Sequence, residues 1–202
     1  TRLPTAFPSL LITPQFHTEG VLTRRLERLG VAITTDAEVV GLAQDATGVD
    51  VVTRSADGTG RRFRASYVVG ADGVHSAVRT ALGVPFPGRA AVRSLMLADV
   101  RLADPPGAVL SVNGVGDGFA FMAPFGDGWY RIFAWNRHHQ VEDSAPLELE
   151  EVRQVTRRAL GSDFGMHDPR FLSRFHSDER QAPRYRVGRV FLAGFAAHCH
   201  SP

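Results

Sequence analysis

Lysine is missing altogether: all 23 basic residues of this 202-residue chain are arginine. That absence excludes Schiff-base catalysis and a phosphate-binding loop of the lysine type. Cysteine is nearly missing too. The single Cys199 cannot close an internal disulfide, so a reducing, cytoplasmic setting is the expectation. No apolar run approaches the ~20 residues of a membrane-spanning helix, and the first residues carry no signal-peptide pattern, so no membrane partner is expected. Net charge is equally scarce. The balance of 23 basic and 21 acidic residues leaves +2, without a basic run or an aromatic–basic stripe, which argues against nucleic acid as a partner. What is present, 44% hydrophobic and 22% charged residues, suffices for the core of one large domain or two small ones.

"TPQFHTEGVLTRRLERLGV" predicts a helix capped by Thr18, with an apolar stripe of Val21, Leu22, Leu26 and Leu29 and a stop at Gly30. "VAITT" then predicts a short strand. A meander follows, with strands over Val39–Asp45, Val49–Arg54 and Arg61–Val69 and turns at Asp45–Gly48 and Asp57–Gly60. A short helix is expected over Ser76–Leu82, stopped by Gly83. Beyond Gly88 the texture changes. "SLMLADVRL", "GAVLSVNG", "GFAFMAPFG" and "WYRIFAWNR" are strand-like runs between turn residues, which predicts an antiparallel sheet. "PLELEEVRQVTRRAL" predicts a helix whose acids come early and whose arginines come late, matching the helix dipole. "FLSRFHSDERQAPRYRVG" returns as strand and loop. The expected fold is α/β (α+β), with an α/β portion at both sequence ends enclosing the antiparallel sheet.

Two segments share one design. "YVVGADGVHSAVR" (Tyr67–Arg79) and "VFLAGFAAHCHSP" (Val190–Pro202) each run a buried strand into a glycine turn. Parallel strands that end this way present backbone N–H groups and helix starts to a nucleotide. Asp72 can accept hydrogen bonds from ribose or ribitol hydroxyls, and Ser76 and Arg79 can contact phosphate. The competing reading is structural: the glycines make turns and Asp72 caps the following helix. His198, Cys199 and His200 lack the third and fourth ligands of a zinc site, so no metal is expected. Cys199 likewise lacks the nucleophile elbow and orienting acid of a catalytic thiol. His138 and His139 sit in a polar turn and read as solvated. In "GFAFMAPFG", Phe119, Phe121, Ala123 and Phe125 share one strand face, either as a substrate surface or as sheet core.

"GADGVHSAVR" resembles the DG motif of the FAD-dependent aromatic hydroxylases, the class A flavoprotein monooxygenases of para-hydroxybenzoate hydroxylase type. "RVFLAGFAAHCHSP" resembles their GD motif, and "PQFHTEGVLTRRL" the segment that sets a glutamine, here Gln15, beside the flavin. The three occur in the family's order. "SDFGMHDPRFLSRFHSDERQAPRYRVGRVFLAG" most resembles hydroxylases of aromatic polyketides and rifamycin-type ansamycins.

The resemblance implies a Rossmann-like FAD-binding domain, represented in part by residues 1–88 and 189–202. It also implies a substrate-binding sheet domain over residues 89–188. Gln15, Gly70, Asp72, Gly73, Ser76, Arg79, Gly194, Phe195 and Ala196 are its expected cofactor-binding residues. Phe119, Phe121 and Phe125 are its expected substrate-binding ones, because in the family a small aromatic substrate lies against this sheet at the flavin's reactive edge. The implied reaction is hydroxylation of an aromatic, polyketide-like or antibiotic substrate. NADPH or NADH reduces FAD, and oxygen is transferred through a C4a-hydroperoxyflavin. No residue announces itself as an obligatory acid or base.

Two departures bear on this. The family's G-x-G-x-x-G unit, which grips the ADP part of FAD, matches no stretch of the chain; the expectation is a fragment of a longer protein that by itself binds FAD poorly and is inactive. Phe195 also stands where the family has an aspartate, and losing one charged hydrogen bond costs roughly 1.5–3 kcal/mol. The alternatives are a flavin-free, non-catalytic substrate-binding relative and a flavin-dependent reductase or Baeyer–Villiger-type oxygenase on the same scaffold.

Overall fold

A computed structural model describes residues 5–7 and 11–200. Contacts divide the chain into two units, residues 1–31 with 93–176 and residues 32–92 with 177–202. Both divisions after residue 88 fall inside long strands.

In the first unit, helix α1 (Gln15–Arg28) begins at Pro14, whose ring fixes a helix-compatible φ of −57° and whose carbonyl accepts from the His17 N–H at 3.1 Å. Thr18 therefore lies inside the helix, and the expectation that it caps it is corrected. The predicted apolar stripe exists but is not buried: Val21, Leu22 and Leu29 are all more than half exposed.

Residues 31–35, where the first unit gives way to the second, form no strand, against expectation. Val31 and Ile33 are exposed, and a lone apolar run without a pairing partner cannot satisfy its backbone as a strand. The meander is present as antiparallel β1 (Glu38–Gln44), β2 (Val49–Arg54) and β3 (Gly60–Ala65). The third predicted strand, Arg61–Val69, is two strands. The chain leaves β2's edge at Ser66–Tyr67 and re-enters a different sheet as β4 (Val68–Gly70), where Arg189 Nη1 donates to the Ser66 carbonyl at 3.2 Å. Helix α2 (Ala77–Ala81) follows.

β5 (Gly88–Leu102) carries the chain into the first unit. There β6 (Ser111–Val115), β7 (Gly118–Gly126) and β8 (Trp129–Asn136) form the predicted antiparallel sheet; with β9 (Met166–Gln181) and β12 (His198–Cys199) the neighbours run β12–β9–β5–β8–β7–β6. Helix α3 (Leu149–Leu160) has Glu150 and Glu151 in its first turn, Arg157 and Arg158 in its last, and ends at left-handed Gly161. Its buried Val152 and Val155 pack with Met96, Ala98, Met122, Ile132 and Ala134, one face of the sheet. β9 (Met166–Gln181) returns to the second unit, where β10 (Arg186–Val187), β11 (Val190–Leu192) and β12 (His198–Cys199) close it. Val49, Val78, Val190, Leu192 and Ala196 form that unit's core. The fold is thus mixed α/β and dominated by antiparallel sheet. Among the described residues no helix is long and apolar enough to cross a membrane.

Candidate functional site

The two glycine turns meet. β4 and β11 pair in parallel with Val68 opposite Val190 and Gly70 opposite Leu192, and the Ala193 N–H donates to the Gly70 carbonyl at 2.9 Å. Gly70 must be glycine because a Cβ there would come within 2.7 Å of the Val78 side chain, so helix α2 packs directly against the strand end. Beyond the strands the chain turns at Gly73 (φ +81°) and Gly194 (φ +57°), and a Cβ at either position would face open space. A ligand can therefore lie against the backbone of both turns.

The first turn is held by its own side chains. Ser76 Oγ donates to Asp72 Oδ1 at 2.5 Å and accepts from the Arg79 N–H at 2.9 Å, while Asp72 Oδ2 accepts from the Val78 N–H at 3.0 Å. Burial works to raise the Asp72 carboxyl, but the Ser76 and Val78 hydrogen bonds outweigh it and hold its pKa below the usual carboxylate range. Ser76 is the N-cap of α2, and Asp72 supports the same first turn through the Val78 N–H. The Asp72 carboxylate remains ionised beside an open turn, so this support and ligand contact are compatible.

Ser76 and Arg79, expected to contact phosphate, are buried and bonded to the turn itself. Ser76 is fully buried and Arg79 is 7% exposed. The Arg79 guanidinium donates to the Val74 carbonyl at 2.7 Å and to the Ala196 carbonyl at 3.1 Å, lying 3.9 Å from the centroid of the Phe86 ring. It fastens the turn after β4 to the turn after β11. Sequence reasoning missed this fastening and missed Phe86, since no spacing links a helix arginine to a turn far along the chain.

The second turn has no such side-chain frame. Gly194–Ala196 form a short 3-10 turn without a side-chain cap, with Ala196 buried and Phe195 55% exposed. Phe195 meets His200 edge-on, and His200 in turn stacks on His198 at 6.0 Å. No group of three or more His, Cys, Asp or Glu among the described residues is arranged to hold a metal. Ser201 and Pro202, the end of the GD-like segment, lie outside the described residues. Gln15 is the first residue of α1, exposed, with its Nε2 donating to Glu19 at 2.6 Å. His138 is exposed but has a partner, Asp117, 2.7 Å from its Nε2.

On the antiparallel sheet, alternation splits β7 cleanly. Ala120 and Met122 face the α3 core, while Phe119 and Phe121 lie opposite Trp135 and Phe133 on the other face. Phe121 meets Phe133 edge-on at 5.8 Å, and Phe133 meets Phe175 at 6.3 Å. These rings are half-buried. Phe125 stands at the irregularity between Pro124 and Gly126, its ring 3.9 Å from the Arg131 guanidinium. Phe133 is absent from the sequence reading, although its alternation within "WYRIFAW" was a legible signal.

The family described as "FAD binding domain" matches residues 2–202. The chain is 41% identical over 205 residues to a rifampicin monooxygenase of Streptomyces venezuelae, covering 100% of this chain and 42% of that protein. It is 36% identical over 215 residues to the 12-dehydrotetracycline 5-monooxygenase/anhydrotetracycline 6-monooxygenase of Streptomyces rimosus, covering 98% of this chain and 41% of that one. Among solved structures, the OxyS anhydrotetracycline hydroxylase from Streptomyces rimosus superposes with a TM-score of 0.74 at 38% identity, over 97% of this chain and 39% of that one. CabE, an aromatic hydroxylase from angucycline biosynthesis, gives a TM-score of 0.77 at 34% identity, over 99% of this chain and 41% of that one. The chain spans about two-fifths of the length of these curated relatives.

Proposed function

We propose, from the premise that this chain belongs to the FAD-binding-domain family of flavin-dependent aromatic monooxygenases, that it supplies part of the flavin cradle and the substrate sheet of an NAD(P)H-dependent hydroxylase acting on a flat, multi-ring aromatic compound. The single observation that carries this reading is the side-by-side arrest of β4 and β11, which joins the two open glycine turns into one surface. Bound FAD, reduced by NAD(P)H, supplies the activation of O₂ and the transfer of one oxygen atom to the ring, with the other leaving as water.

This chain's residues have the supporting parts. Gly73 and Gly194 let the backbone approach the cofactor, and the ionised Asp72 accepts hydrogen bonds from its hydroxyls. Ser76 and Arg79 hold both turns in place from beneath. Phe119, Phe121 and Phe125, joined by Phe133, offer edges and faces to a planar substrate and keep water from it. The relatives named for rifampicin and tetracycline chemistry support a polyketide-like or antibiotic substrate class.

The test uses the full-length protein with NADPH and a panel of multi-ring phenols. Oxygen uptake that rises with a phenol and yields a product one oxygen atom heavier is the expected result. NADPH oxidation that no phenol stimulates, or a protein that retains no FAD, overturns the reading in favour of a non-catalytic binding relative.

A further inference from the structure

The side of the antiparallel sheet away from the aromatic rings carries a groove of about 400 Å³ between α3 and the end of β8. That volume falls within the roughly 300–1,000 Å³ of small-ligand sites. Glu151, Gln154, Val155 and Arg158 line it from α3, the i, i+3, i+4, i+7 spacing of one helix face. Asn136, the last residue of β8, and His139, in the connection beyond it, line it from the other side.

The carboxylates of this region are already occupied. Both Glu151 oxygens accept from Arg174, at 3.2 and 2.7 Å, and the Arg174 side chain is 1% exposed. His139 Nε2 stands 3.7 Å from Glu151 Oε1, beyond hydrogen-bond reach. Asp117, the other carboxylate within electrostatic reach of Arg158, takes His138 Nε2 at 2.7 Å and Arg137 at 3.9 Å. The donors, by contrast, are free. Arg158 has neither a hydrogen bond nor an ion pair among the described residues. Its guanidinium lies across buried Gly118, where a Cβ would come within 3.2 Å of Nε. Gly118 is the register partner of Asn136, so guanidinium and amide stand at one end of the groove. Asn136 Oδ1 accepts from the His138 N–H at 3.2 Å, which leaves its amide N–H groups to the groove. His139 offers Nε2 at the Glu151 end, and buried Val155 lies between the two. Glu151 and Arg158 are about 10.5 Å apart along the helix at 1.5 Å per residue, and the lean of long side chains toward the helix N-terminus shortens that gap.

We propose that this groove binds a short aliphatic dicarboxylate. One carboxylate lies in the Arg158 fork beside the Asn136 amide, the other accepts from His139 Nε2, and the methylene chain rests on Val155. A guanidinium fork matches a planar carboxylate in two-point geometry. A compact anion would leave one donor end unmet, and a larger apolar ligand would find a single apolar side chain to cover. The site is independent of the flavin reading, because it lies on the α3 side of the sheet and shares no residue with the cradle or the aromatic face.

Equilibrium dialysis of the full-length protein against radiolabelled glutarate, with butyrate as the single-ended control, tests this at low ionic strength. Glutarate is expected to saturate one site per chain and to bind about tenfold tighter than butyrate. Arg158→Gln weakens glutarate about tenfold, and His139→Gln, in the exposed connection, weakens it about threefold and lowers the preference over butyrate by the same factor. Arg157→Gln removes the same charge from the next helix position, where Arg157 is held by Asp163, and leaves glutarate affinity within about twofold. If Arg158→Gln does not fold, the loss of preference in His139→Gln decides the matter. Equal binding of glutarate and butyrate, no saturable binding of glutarate, or equal losses in Arg157→Gln and Arg158→Gln overturns the dicarboxylate site. Each of those outcomes leaves the hydroxylation reading standing, since phenol-stimulated oxygen uptake is read separately.

Discussion

The turn after β4 and the turn after β11 begin alike and are stabilised differently. The first surrounds a carboxylate: Asp72, Ser76 and the Val78 N–H form a closed set of hydrogen bonds within seven residues of chain. The second presents a phenyl ring to solvent and is anchored by a distant arginine, through the bond from Arg79 to the Ala196 carbonyl. One turn is framed locally and the other is framed by its neighbour. A motif that looks symmetrical in sequence is thus asymmetrical in how it is held, and the side chain that appeared most suited to touching phosphate is the one holding the pair together.

The largest break in that comparison is Arg79→Ala. It strips two carbonyls of their donors and empties space beside Phe86, and is expected to destabilise the fold by about 3 kcal/mol in urea unfolding. Arg79→Met, which refills the volume but not the hydrogen bonds, should recover part of that loss; full recovery would show that packing alone does the fastening. Next in size is Phe195→Asp, which makes the second turn resemble the first in charge. Affinity of the full-length protein for FAD is expected to rise about tenfold, the value of one charge-assisted hydrogen bond, with unfolding stability unchanged because Phe195 packs against little. Unaltered FAD affinity would mean that this position does not face the cofactor.

The smallest effect belongs to Asp72→Asn, expected to cost about 1 kcal/mol through weakened hydrogen bonds to Ser76 and the Val78 N–H. Its pH signature sharpens the contrast. The folded carboxyl lies below its unfolded value of ~3.9, so its contribution is fully present above about pH 4 and is lost as the pH falls through the lowered folded value. The asparagine variant should lose that acid-limb dependence, whereas Phe195→Asn should leave it as it was.

Much of this was readable in advance, and the failures share a cause. The second meander strand was legible at its observed bounds because its alternation is strong and its turns carry Asp and Gly. Helix α3 was legible from its charge order and its glycine stop. The split at Ser66–Tyr67 was not, because one unbroken β pattern cannot tell that its two halves pair with different sheets. Residues 31–35 have strand-like composition but no partner, and pairing is not a local property. At the site, glycines and Asp72 announce themselves through the geometry that only they permit. Arg79's bond to Ala196 and the groove between Asn136 and Arg158 depend on which elements become neighbours, which no local spacing encodes.

That parallel pair also dictates an order of assembly. Val68 and Val190 stand at opposite ends of a long intervening sheet segment, so the entropic cost of bringing them together falls only once that segment has collapsed. During synthesis at about 5–20 residues per second, the first strand end waits several seconds for its companion to emerge. In that interval Val69 on the lone strand, and Tyr67 just before it, have no neighbour from β11. The surface that the two strand ends form therefore exists only after the chain between them has been made and has folded, and a chain released before Val190 carries its first strand end with no means of closing it.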